Sequence, residues 1–366
     1  MNDFSIFQTI FKQFITEQDI CNVLQQYNYV DTARKFKVND LVDFFASSAI
    51  LRWKSFRHGC DVLESVNFST VSKKAKSIPF GVFKDLFLLA LSRCNRKIRR
   101  TLHLPKPLLS VDSTTITFGE NRLKWAVFHG KRSGIKLHIA LKNSTQMPER
   151  VEETIALTHD SLMLEKLLDP DSILVADRAY FKIKRSDEFL VAKQSFVIRL
   201  KTNIETYRPK SLKRLPQEGS NVTADYTCLV GTEQNRSSYR QRIVEFTDYE
   251  GKNIRVITNL YSIDAETIAQ IYKARWAIEA FFKWLKQQMN LATIFGNSPN
   301  AVYNQLYAVL LTYVILNGIY KVLSVCVKFK KLSLLQFTRN LFAKNLPLEW
   351  MYYLEEAINN FMVKYG

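Results

Sequence analysis

The stretch Leu108–Phe118, LLSVDSTTITF, decides how the middle of this chain is read. Its apolar and β-branched residues predict a strand, and Asp112 interrupts it. A second stretch, Ser172–Tyr180, SILVADRAY, repeats the pattern: an apolar run leads to Asp177. Aspartate is depleted in strands because its side chain competes for backbone groups and resists burial. A lone case is commonly a turn former. Two cases, each after a strand-like run, are better explained as carboxylates at the strand ends of an open sheet, where ligands bind. Asp112 on a first strand and Asp177 on a fourth become neighbours if those strands pair in parallel.

Working outward from these two stretches, KWAVFHG, IKLHIALK and VEETIALTH read as further strands, DSLMLEKLL and KIKRSDEFLVAK as helices, and FVIRLK as a strand. Strands alternating with helices predict a mixed α/β domain. From about Asn203 to Asn259 the pattern turns β-rich, with DYTCLVG, YRQRIVEF and KNIRVITNL as strands and Gly219, Gly231 and Gly251 in turns. Upstream, the periodic apolar residues of IFQTIFKQFI, DLVDFFASSAILRW and FGVFKDLFLLAL predict a helical domain that ends near Pro105 and Pro107. Within it, Ser69 and Thr70 stand ahead of a short basic helix carrying Lys73, Lys74 and Lys76. A short helix, a turn and a basic helix are compatible with a helix-turn-helix whose lysines enter a major groove; a solvated helix face is the plainer alternative.

After Asp264 the chain is helical again, through ETIAQIYKARWAIEAFFKWLKQQM. On one continuous helix, Tyr272, Arg275, Glu279 and Lys286 fall within a stripe about 60° wide, with Lys283 beside it. Ile271, Ile278, Phe281, Phe282 and Leu285 form a neighbouring apolar stripe. So a phenol, a guanidinium, a carboxylate and an ammonium line up beside a buried face. A carboxylate there suits a metal, and the cations suit phosphate oxygens. A helix surface stabilised by an Arg275–Glu279 pair remains the alternative.

Charge narrows the function. Lys and Arg number 52 against 34 acidic residues, a net charge of +18, which points to a polyanionic partner. From Ala280 to Leu348 the chain has no acidic residue at all. The five cysteines are scattered, with no CxxC pair, which fits a reducing compartment and argues against a disulfide framework or a zinc site. No GxxxxGK[ST] loop occurs, so no nucleotide cofactor is expected. The start, MNDFSIFQTIF, lacks a basic leader before a long apolar run, so no signal peptide is expected. The most apolar segment, Leu306–Val327, contains Thr312, Asn317, Gly318 and Lys321 and suits a buried helix better than a membrane span. His129, His138 and His159 are too widely spaced to predict a metal site and read as surface or hydrogen-bonded strand residues.

Two Asp and one Glu can hold two Mg²⁺ or Mn²⁺ ions for displacement at phosphorus, since hard divalent cations want oxygen ligands. In VDSTTI, VADRAY and the spacing Tyr272-x2-Arg275-x3-Glu279-x6-Lys286, the sequence resembles the DDE transposases of bacterial insertion sequences, IS family four, with their YREK signature. The resemblance implies an α/β fold: a ribonuclease H-like mixed-sheet core with a β-rich insertion, preceded by a helical N-terminal domain and followed by C-terminal helices. On that pattern the segments are 1–105 (helical, DNA-binding), 106–204 and 260–325 (the two parts of the core), 205–259 (the insertion) and 326–366 (a helical tail). The resemblance also implies that Asp112, Asp177 and Glu279 ligate metal and that Tyr272, Arg275 and Lys286 contact phosphates, with Arg178 a further candidate. In relatives that cleave through a DNA hairpin, an aromatic residue of the insertion holds a flipped base; here the insertion has no Trp, and Tyr226 and Tyr239 are the candidates. The expected partners are double-stranded DNA, as terminal inverted repeats and target, and a second copy of the chain in a synaptic dimer. No membrane is expected, and the expected place is the bacterial cytoplasm, at the nucleoid. The rival functions are a DNA-binding regulator without catalysis, a metal-dependent nuclease without strand transfer, and a basic RNA-binding structural protein.

Overall fold

The computed structural model describes residues 5–64, 66–95, 105–130, 132–212 and 218–365, with the backbone alone for 5–8, 95 and 358–365. The chain opens with six helices: α1 (Ser5–Phe14), α2 (Glu17–Gln26), α3 (Val38–Leu51), α4 (Phe56–Leu63), α5 (Phe68–Ser77) and α6 (Phe80–Asn95). Side-chain caps at Thr16, Ser55 and Asn67 start α2, α4 and α5 by taking up free backbone N–H groups. Strands β1 (Leu108–Phe118), β2 (Ser133–Lys142) and β3 (Met147–Ile155) follow, then α7 (Leu164–Leu167), β4 (Ile173–Ala176), α8 (Ile183–Val191) and β5 (Phe196–Arg199). Next come β6 (Thr206–Ser211), β7 (Val222–Thr232), β8 (Asn235–Arg236), β9 (Gln241–Thr247) and β10 (Asn253–Thr258). Five helices complete the chain: α9 (Ala265–Ala274), α10 (Trp276–Gln288), α11 (Pro299–Cys326), α12 (Leu334–Phe342) and α13 (Leu348–Tyr365).

These elements form two compact units. The first is helical and comprises Met1–Arg99, Asn121–Trp125 and Lys283–Gly366. Its centre is α11, which packs against α3, α5, α6 and α13. By length and apolarity this helix matches a membrane span, yet it is buried without interruption from Ala301 to Ile319 as the core helix of its unit. Two of its polar side chains are tied to backbone: Asn304 Nδ2 donates to the carbonyls of Ala75 and Ile78, and Thr312 Oγ1 donates to the Ala308 carbonyl.

The second unit, Arg100–Glu120 and Ala126–Phe282, is built on one mixed sheet. Its strand order is β3-β2-β1-β4-β5-β10-β9-β7-β6, with β8 paired to β7. β1, β2 and β3 are antiparallel, whereas β4 runs parallel to β1 and β5 parallel to β4. Successive side chains face opposite sides of a strand, so each face buries its own apolar layer. Val111, Leu174, Ala176 and Ile198 join Leu164 and Leu167 of α7 and Phe189 of α8. Leu108, Ile173, Val175 and Val197 join Ile268, Ile271 and Tyr272 of α9.

Two sequence expectations change here. KWAVFHG is not a strand: residues 124–130 are turn and bend, with a single bridge between Val127 and Ser133. Gly130 takes a left-handed φ of 65°, and the Trp125 indole is engaged by the Asn297 carbonyl. The expected single helix through Tyr272 and Lys286 is two helices, α9 and α10, that meet at Arg275. The β-rich segment is continuous with the core sheet, because β10 pairs with β5.

Candidate active site

The parallel register of β1 and β4 positions the two aspartates. Leu108 lies beside Ile173 and Val111 beside Ala176. Asp112 and Asp177 each come one residue later, at the carboxyl end of the parallel pair. Beyond that point β1 continues against β2, with Asp112 opposite Ile139, while the chain after β4 turns away through Arg178–Tyr180. The crevice opened there is where open α/β sheets take ligands.

The junction of α9 and α10 brings the remaining groups to this crevice. The Tyr272 hydroxyl donates to Asp177 Oδ1 at 3.3 Å. Arg275 Nη2 donates to Glu279 Oε1 at 2.6 Å, and its Nη1 stands 3.5 Å from Asp112 Oδ2. One guanidinium thus spans two carboxylates, and the neighbouring phenol holds the third. The Arg275 side chain is 10% exposed, and its Nε is buried with no hydrogen-bond partner.

These surroundings act on the protonation of Asp112. Burial, helped by the charges of Glu279 and Asp177, pushes its carboxyl up to about 6, although the Ser113 N–H and Arg275 pull the other way. Burial opposes the charge on Arg275, but Tyr272, Glu279 and Asp177 together hold its proton more firmly than usual. Burial raises the Tyr272 phenol. That hydroxyl therefore stays a proton donor to Asp177 at neutral pH.

Residues 103–315 match the family model described as a transposase DDE domain. Across its whole length the chain is 44% identical to a Geobacillus stearothermophilus protein named as a probable transposase for insertion sequence element IS5377, covering 98% of it. The chain belongs to the DDE transposases. It is also 26% identical, over 69% of its length, to a Synechocystis protein named as a transposase for insertion sequence element IS4SA, covering 72% of that protein. A solved piggyBac transposase synaptic complex with hairpin DNA shares the fold, with a TM-score of 0.50 at 13% identity over 96% of this chain and 84% of the other.

The family uses divalent metal, and the donors present suit it: all are carboxylate oxygens, the ligands a hard cation prefers. Among the described residues, no three His, Cys, Asp or Glu side chains stand as a ready-made ligand group. The Arg275 guanidinium lies between Asp112 and Glu279 and pairs with both.

The other predicted residues of the transposase are placed as follows. Arg178, directly after Asp177, is exposed. Lys283 and Lys286 are exposed on the second half of α10. In the helical unit, Lys73 and Lys76 are exposed on α5, whereas Lys74 is paired with Asp31 and lies 5.7 Å from the Tyr29 ring centre. Of the insertion tyrosines, Tyr226 donates to Glu245 Oε1 at 2.7 Å, and Tyr239 is 51% exposed. His138 is buried and bonded to Thr154, while His129 and His159 are exposed.

Sequence reasoning missed a polar cluster behind Asp112. Asp160 accepts from Ser113 Oγ at 2.8 Å and pairs with Lys136 Nζ at 3.0 Å, with His138 Nδ1 3.6 Å away. Burial pushes the His138 imidazole down to about 4, so it is neutral at physiological pH. Lys136 also donates to the Thr158 carbonyl. The signal was a register relation, since β2 sets His138 opposite Ser113 and Lys136 opposite Thr115.

Proposed function

We propose that the transposase cleaves the ends of an insertion sequence and joins their 3′ ends to target DNA, with Asp112, Asp177 and Glu279 as the catalytic and metal-binding carboxylates. The observation that carries this reading is the sharing of Arg275 by Asp112 and Glu279, next to the Tyr272–Asp177 bond. Two Mg²⁺ or Mn²⁺ ions, when bound, would activate the attacking water or 3′-hydroxyl and stabilise the leaving oxygen. The carboxylates fix where those charges sit. Tyr272 keeps Asp177 oriented through its hydroxyl. Arg275, released from its two acids, is placed to meet a phosphate oxygen, as its fork geometry favours. Arg178, Lys283 and Lys286 add positive charge for the DNA backbone.

The substrate is double-stranded DNA carrying the terminal inverted repeats of the element. Two copies of the chain act together, one on each end. Lys73 and Lys76 of α5 belong to the surface that binds those ends, whereas Lys74 is taken up by Asp31, and Tyr239, the more exposed insertion tyrosine, is the better candidate of the two to stack on a displaced base. The reaction conserves bond energy and draws on no nucleotide cofactor. Its place is the bacterial cytoplasm, at the nucleoid.

The test is Mg²⁺-dependent cleavage of a duplex bearing the repeats that flank the coding sequence, followed by strand transfer from precut ends. Asp112→Ala is expected to lower cleavage by about 10²–10⁴-fold, since a metal contributes several kcal/mol to such a transition state. Cleavage without strand transfer identifies a nuclease, and end binding without either reaction identifies a regulator.

A further inference from the structure

We propose that Asn143 is a positioning residue for the catalytic carboxylates; the inference rests on the reading that Asp112 and Glu279 carry the chemistry. Asn143 follows the last residue of β2, and its backbone N–H donates to the Leu108 carbonyl at 3.0 Å. Its side-chain Oδ1 accepts from both the Ser110 N–H, at 3.2 Å, and the Ser110 hydroxyl, at 2.7 Å. Its Nδ2 donates to the Ala274 carbonyl at 2.7 Å. One planar amide therefore grips β1 two residues before Asp112 and, at its other end, the residue just before Arg275.

The second grip falls where the helix breaks. In an unbroken α-helix the Ala274 carbonyl would accept from the Ile278 N–H. Here the Ile278 N–H turns instead to the Arg275 carbonyl at 3.1 Å, and Asn143 takes the carbonyl left over. A side chain entering the backbone ladder is a recognised cause of such breaks. The break sets the direction in which α10 departs, and so fixes Glu279 and the reach of Arg275 towards Asp112.

Asn143 has no bond to any of the three acids, so its effect is exerted through backbone placement. The chemistry of the site demands an amide: Ser110 needs an acceptor, and the Ala274 carbonyl needs a donor. Aspartate would keep the first bond and set a carboxylate against the second oxygen.

The test uses the full-length chain, Mg²⁺ and a duplex carrying the flanking inverted repeats. Asn143→Ala and the near-isosteric Asn143→Asp are compared with wild type for cleavage rate at saturating DNA, DNA Kd, Mn²⁺ affinity by electron paramagnetic resonance, and Tm. The expected result is a rate lowered by about 10–100-fold per folded molecule, the cost of a small misplacement of reacting groups. Mn²⁺ binding should weaken in parallel, with DNA Kd held within about threefold. Asn304→Ala also removes a buried amide that holds two backbone carbonyls, but in the helical unit. It should lower Tm while leaving Mn²⁺ affinity per folded molecule unchanged. If Asn143→Ala does not fold, Asn143→Asp decides, because it keeps the size and the Ser110 bond. Wild-type rate and Mn²⁺ affinity in the folded Asn143 variants would overturn the proposal while Asp112→Ala remains inactive. An active Asp112→Ala would overturn the catalytic reading and the positioning role together.

Discussion

Arg242 and Arg275, both in the sheet unit, are buried against carboxylates, and they are satisfied to very different degrees. Arg242 meets Asp225 through two parallel bonds of 2.8 Å, and its remaining nitrogen donates to the carbonyls of Leu260 and Ile263. It is a closed pair of one cation and one anion, with the arginine side chain fully buried. Arg275 makes one contact to each of two acids and leaves its Nε without a partner, while a third acid stands nearby on Tyr272. The first arrangement fastens β7 and β9 to the chain leading into α9. The second is under-neutralised, and a site short of positive charge is one prepared to accept more of it. Burial alone does not separate the two arginines; the count of acids per cation and the unfilled donor do.

The largest effect is expected at the closed pair. Arg242→Ala should destabilise the protein by about 3–5 kcal/mol, the usual cost of leaving one partner of a buried pair alone. Thermal denaturation with and without Mg²⁺ should show the same loss in both. A loss that Mg²⁺ repairs would erase the distinction between the arginines.

Arg275→Ala should cost less, about 1–3 kcal/mol without metal, because Asp112 and Glu279 keep partial access to water. Here Mg²⁺ should recover much of the Tm, since an added cation replaces the missing charge. An identical Tm deficit across a Mg²⁺ titration would contradict this.

Asp112→Asn should act in the opposite direction. Its carboxyl is pushed up to about 6 against an ordinary value of 3.8. The folded state therefore binds this proton more tightly than the unfolded chain, and the ionised carboxylate costs stability above pH 6. The substitution should raise metal-free Tm at pH 7.5 by the equivalent of about 1–2 kcal/mol. The gain should fade as the pH falls from 6 towards 4. Denaturation curves across that range check both the sign and the window.

Much of this contrast was legible in the sequence, for identifiable reasons. Asp112 and Asp177 each break an apolar run, a local pattern that needs no tertiary knowledge. Tyr272, Arg275 and Glu279 have a fixed spacing, and their apolar neighbours Ile271, Ile278, Phe281 and Phe282 are all buried. The break at Arg275 was not legible, because it depends on an amide more than a hundred residues earlier in the chain. The same is true of Asp160, whose partners Ser113, Lys136 and His138 meet only through strand register. KWAVFHG was misread because its apolar residues follow the strand pattern, whereas Gly130 and the Trp125 contact hold it as a turn.

The central claim is that Asp112, Asp177 and Glu279 form one cation-accepting site, and calorimetric titration of the full-length protein with Mn²⁺ tests it most directly. Asp112→Asn, Asp177→Asn and Glu279→Gln should each weaken binding by more than about tenfold, or 1.4 kcal/mol, while the Arg242–Asp225 pair stays intact and the Tm stays near or above that of wild type. Wild-type Mn²⁺ affinity in any one of the three variants would contradict the claim.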